Sequence, residues 1–161
     1  MRSGPILIGY DGSPAAEHVV REAGELMGGR PALVVVVWKQ SVGFELLELP
    51  TATIGLPPAE IDIRTALEIE ESMRERAQGL AQKGAGLARD AGFEAEGLAV
   101  ADDLDVPVAN TIVNVARERD AQAVVVGAHG HGRASEIILG STTRDVVRHS
   151  PCPVLVVRAA S

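Results

Sequence analysis

The chain has 161 residues, 46% of them hydrophobic, and a formal net charge of −7. That length suits one domain, over residues 1–161, with a sizeable core. The acidic balance argues against a nucleic-acid partner, because phosphate backbones demand a basic surface, and aromatic residues at only 2% leave no stacking platform for single strands.

Pro5-Ile-Leu-Ile-Gly-Tyr10 reads as a short buried strand that ends beside Asp11. Ser13 is placed to cap a helix, and Pro14 takes its favoured first position. Ala16, Val19, Val20, Ala23, Leu26 and Met27 recur at helical spacing until Gly28-Gly29 stop that helix. Ala32–Trp38 is the clearest strand. Residues 39–65 read as a long apolar insertion or lid. Pro50, Pro57 and Pro58 break it, and Gly43 and Gly55 loosen it. Phe44, Leu46, Leu47, Leu49, Ile54 and Leu56 suit it to pack over a site or onto a partner subunit.

Met73, Ala77, Leu80, Gly84, Leu87 and Ala91 form the next helix face, closed by Gly92. The run Glu68, Glu70, Glu71, Arg74, Glu75 and Arg76 reads as its solvated side. A third strand lies within Phe93–Val100. Asp105 is placed to cap a helix whose core face is Val108, Ile112, Val115 and Ala116. Gln122–Gly127 is the fourth strand, Thr142–His149 a short helix, and Pro153–Arg158 the fifth strand.

Strands alternating with helices imply an α/β fold with a parallel sheet covered on both faces. In such sheets ligands bind beyond the carboxyl ends of the strands, at the switch point of the strand order. With a five-stranded order of 3-2-1-4-5, Asp11 and Gly127 end the two strands that flank that point. Gly127-Ala-His-Gly130, then nine residues, then Gly140-Ser141, is the chain's most informative pattern. Glycines between a strand end and a helix start let backbone N–H groups approach and cradle phosphate.

Other readings of single residues are bland. His129 and His131 lack the Cys or acidic partners of a zinc site, so no protein metal site is expected. Cys152, the only cysteine, reads as a small core residue; it excludes an internal disulfide and fits a reducing compartment. No Ser–His–Asp or Cys–His signature marks a hydrolase, and Ser13 in Gly12-Ser-Pro has no elbow context, so no catalytic residue is assigned. The opening Met1-Arg-Ser-Gly-Pro5 lacks a signal peptide's apolar stretch, and no run reaches the roughly 18 apolar residues of a membrane span. A cytoplasmic protein without a membrane partner is expected.

The organisation resembles the universal stress protein family. Ile8-Gly-Tyr-Asp-Gly-Ser13 is similar to that family's first strand and acidic turn, and Val126-Gly-Ala-His-Gly130 to its fourth strand and glycine turn. Gly140-Ser141 completes the family's nucleotide pattern, and Val147-Arg-His-Ser-Pro-Cys-Pro-Val-Leu-Val-Val157 is similar to its closing helix and strand. The resemblance implies the Rossmann-like fold and the ATP-binding branch, with Mg²⁺. It places Gly127, Gly130, Gly140, Ser141 and Thr142 at ribose and phosphates, Asp11 by the sugar with Gly9 and Tyr10 lining the pocket, and the Val37 backbone at the adenine edge. His129 would fix the loop, and His131, Gly132 and Arg133 would lie close to phosphate. AMP and ADP share the adenosine contacts. The resemblance also implies a homodimer through Pro153 to Arg158 and a stress-response or signalling role with an unidentified protein partner. The alternatives are a slow ATPase and a dimeric interaction module that binds no nucleotide. Two departures stand out: His131 replaces a frequent Arg or Lys, and Gly9 stands where a proline often precedes the acidic turn.

Overall fold

Five short, mostly valine and isoleucine strands lie side by side: β1 (Ile6–Gly9), β2 (Pro31–Lys39), β3 (Glu94–Asp102), β4 (Ala123–Gly127) and β5 (Val154–Val157). Every pairing is parallel, and the order is β3-β2-β1-β4-β5, as the sequence predicts. The structure, a computed structural model, describes residues 2–48, 63–129 and 139–158.

Alternation along the strands sends side chains to two cores. Ile6, Ile8, Val34, Ala95 and Val125 face helices α1 (Pro14–Met27) and α3 (Ile63–Asp90). Leu7, Leu33, Val35, Val124 and Val126 face α4 (Val108–Glu118) and α5 (Ser141–His149). β1 is flanked by β2 and β4, and its Ile6, Leu7 and Ile8 are wholly buried.

Ser13 caps α1 as expected: its Oγ accepts the Ala16 N–H at 3.1 Å, and Pro14 follows at the first turn. Four expectations are corrected: the extent of the insertion, Gly43, Glu70 and Asp105. The helix whose core face reads from Met73 to Ala91, with a charged side from Glu68, starts at Ile63, so α3 takes in the last residues of the expected insertion. Within that insertion, Val42–Glu48 form a further helix, α2; residues 49–62, with Pro50, Pro57 and Pro58, lie outside the described residues. Gly43 does not loosen this segment. It lets α2 press on α3, where an added Cβ would meet the Ala66 carbonyl oxygen at 2.4 Å. Its N–H donates to the Glu70 carboxylate at 3.0 Å, so Glu70 leaves the solvated charge run assigned to it. Asp105 does not cap α4. The cap position is Pro107, in extended conformation with no side-chain bond, and the helix begins after its fixed φ of −62°.

Candidate functional site

β1 stops at Gly9 while β2 runs on to Lys39. The last link between them is the Tyr10 N–H donating to the Val35 carbonyl at 2.9 Å. Val37 lies two residues further along, so its backbone N–H and C=O leave the same edge of β2, past the end of β1. This gap opens a cavity of about 550 Å³ over the carboxyl ends of the strands, at the switch point between β1 and β4.

The acidic turn forms one wall. Asp11 Oδ1 accepts the Ser13 N–H at 2.9 Å, which fixes the carboxylate beside the start of α1. Gly12 has a φ of +80° and sits so close to α3 that a Cβ would meet Leu80 Cδ2 at 2.6 Å. Only glycine fits both the turn and the helix above it.

The glycine turn forms the opposite wall. The Gly127 carbonyl accepts the Thr143 hydroxyl at 2.6 Å, tying α5 to the end of β4. The Ala128 N–H donates to the Val157 carbonyl at 2.8 Å, and the Ala128 carbonyl accepts the Gly140 N–H at 2.9 Å. The β4–α5 connection is thus closed at its base. Gly140 caps α5 without a side-chain bond, and Ser141 and Thr142 open that helix with exposed side chains. Ser141 therefore does not cap its helix.

The cavity brings together Gly9, Tyr10, Asp11, Val37, Gly127, His129 and Thr142 from the predicted set. Gly140 and Ser141 stand at the foot of the connection rather than on the lining. Gly130, His131, Gly132 and Arg133 lie outside the described residues. Sequence reasoning missed Trp38, Arg76 and Thr143, which also line the cavity. Thr143 was legible in principle, because it stands on the inward side of a helix that begins at Ser141.

Beneath the cavity, Lys83 of α3 donates to Glu17 Oε1 of α1 at 2.7 Å. That bond lowers the Glu17 carboxyl below its ordinary range and raises the Lys83 ammonium. Burial pushes the Tyr10 phenol up, opposed by the nearby Lys83 charge. The Tyr10 hydroxyl is buried, and among the described residues no group stands in hydrogen-bond geometry to it.

The described lining carries one carboxylate, Asp11, one guanidinium, Arg76, and one imidazole, His129, among apolar and hydroxyl groups. The Ser13 and Thr143 hydroxyls are each engaged with backbone groups. Such an arrangement suits binding of a partly apolar, partly polar small molecule. Among the described residues no three His, Cys, Asp or Glu side chains converge on a metal position, and no helix is long and apolar enough to cross a membrane.

Universal stress protein Rv2005c of Mycobacterium tuberculosis is 29% identical over 161 aligned residues, covering 96% of this chain and 45% of its own length. The chain thus spans about half the length of such curated relatives. The solved structure of protein MJ0577 of Methanocaldococcus jannaschii superposes with a TM-score of 0.73 at 20% identity, over 100% of this chain and 99% of that one. The universal stress protein of Archaeoglobus fulgidus in complex with dAMP superposes with a TM-score of 0.58 at 26% identity, over 97% and 98% of the two chains. The model of the Universal stress protein family matches residues 3–158. The likeness carried in the sequence by the two turns, Gly140-Ser141 and the closing helix and strand therefore spans residues 3–158, and this chain belongs to the universal stress protein family.

Proposed function

We propose that the chain binds an adenine nucleotide, ATP with Mg²⁺, and acts as a nucleotide-dependent stress-response or signalling module. The observation that carries this reading is the meeting of Asp11 and Gly127 across one cavity at the switch point of the sheet. The dAMP complex of the Archaeoglobus relative supports it.

In this reading the adenine edge meets the backbone of Val37, and the sugar lies between Asp11 and Gly127. A carboxylate repels phosphate, so Asp11 suits sugar hydroxyls. The phosphates reach toward Gly130, Gly140, Ser141 and Thr142. The Gly140 N–H is bonded to Ala128, which leaves the first N–H groups of α5, from Ser141 onward, to receive them. Mg²⁺ is commonly held by one or two carboxylates together with substrate phosphates. As the alternative to its sugar contact, Asp11 offers such a carboxylate, and an ion held there would neutralise phosphate charge. A homodimer through β5, whose outer edge has no strand partner among the described residues, completes the proposal.

Mass spectrometry of small molecules released from the freshly purified, denatured protein tests the reading. Released ATP, ADP or AMP is expected. Protein that releases no nucleotide, and stays unsaturated when ATP·Mg²⁺ is added, would overturn it.

A further inference from the structure

The basic side chains of α3 are Arg64, Arg74, Arg76, Lys83 and Arg89. Four have partners: Arg64 with Glu68, Arg74 with Glu71, Lys83 with Glu17, and Arg89 with the Ala95 carbonyl. Arg76 has none among the described residues. The sequence explains why. On a helix the neighbours of position 76 are three and four residues away, and they are Ser72, Met73, Gly79 and Leu80, none of them acidic. Glu75 is adjacent in sequence but faces elsewhere.

Arg76 is also the only Arg or Lys among the described residues lining the cavity. Its height is set by Leu80, one helical turn below, which packs on Gly12 in the acidic turn. Arg76 therefore lines the cavity on the α3 side, the side of the acidic turn. At the rim of the cavity, in a chain of net charge −7, a guanidinium with no partner among the described residues is a group that an anion can pair.

We infer that Arg76 is a specificity-determining residue that binds the phosphate of the cavity's ligand, so that phosphorylated adenine nucleotides are selected over the neutral nucleoside. The two charges divide the mouth: the carboxylate receives sugar hydroxyls, and the guanidinium receives the anion. This inference rests on the nucleotide reading above and adds a group that the glycine pattern does not contain.

The test is calorimetric titration of the wild type, Arg76→Ala and Arg76→Lys with AMP, ATP·Mg²⁺ and adenosine, at low and high salt. Arg76 is exposed, so its removal leaves the core intact. Arg76→Ala is expected to weaken AMP and ATP about tenfold, or about 1.4 kcal/mol. Adenosine should be unchanged, Arg76→Lys should recover part of the loss, and high salt should narrow the gap. Nucleotide affinities within twofold of wild type in Arg76→Ala would overturn the inference and leave the nucleotide reading standing. An equal loss for adenosine would also overturn it, since Arg76 would then act on the nucleoside. A wild type that binds none of the three ligands would overturn both.

Discussion

Three glycines of α3 separate two opposing effects of adding a methyl group. In a helix interior, Gly→Ala stabilises by about 0.5–1 kcal/mol, because glycine loses the most backbone freedom on folding. Gly79 and Gly86 have nothing within 4 Å of an added Cβ, so they should show that gain. Gly84 faces the sheet. Its Cβ would lie 2.7 Å from Val34 Cγ1 and 2.9 Å from Tyr10 Cδ1. Neither neighbour can yield easily: Val34 is β-branched and wholly buried on β2, and the Tyr10 ring is 4% exposed. Overpacking of this kind costs about 1–3 kcal/mol. Net of the helix gain, Gly84→Ala should destabilise by about 1–2 kcal/mol. Urea unfolding midpoints with unchanged m-values are the assay. The thermal equivalent is about 2–4 °C per kcal/mol for a chain of this size. If Gly84→Ala stabilises as much as Gly79→Ala, the close packing of α3 on Tyr10 is wrong.

Thr143 is 3% exposed and donates to the Gly127 carbonyl. Thr143→Val should cost about 1–3 kcal/mol by stranding that acceptor, read from urea midpoints, and should weaken nucleotide binding by loosening the turn. The Glu17–Lys83 bond predicts a pH signature. Glu17 is lowered when folded, so its contribution is complete above its ordinary value of 4.5 and disappears as pH falls through the folded value. Lys83 is raised, so on the alkaline side the contribution holds below 10.5 and disappears as pH rises through the folded value. The stability difference between wild type and Glu17→Gln should therefore be flat at neutral pH and shrink at both extremes, as followed by urea midpoints across pH.

Much of the fold was legible because valine runs such as Val34–Val37 have few other uses in a chain with so few aromatics. Alternation of those runs with helical periods led to the parallel sheet, and Ser13-Pro14 marked the start of α1. Local signals failed where tertiary contacts decide. Gly43 looked like a loop residue, yet it is a helix-packing surface whose partner, Ala66, is distant in sequence. Asp105 looked like a cap, but Pro107 imposed the helix start. In the site, the strand-end residues Asp11 and Gly127 were found from topology, and Val37 from the family resemblance. Arg76 was hidden in a charge run, because a helix face turned toward a cavity carries the same residues as one turned toward water. Trp38 was read only as the end of a strand.

The central claim is that the cavity between Asp11 and Gly127 holds an adenine nucleotide. Titration calorimetry of ATP·Mg²⁺ into the wild type and Gly127→Glu tests it most directly. An added Cβ at Gly127 would stand 3.2 Å from the His129 carbonyl and 3.3 Å from Val19 Cγ2, so a glutamate there must disturb the glycine turn that forms one wall of the cavity. The account predicts micromolar binding by the wild type and a loss of at least about tenfold in the variant. A wild type that produces no heat, or a variant that binds as tightly as the wild type, would contradict it.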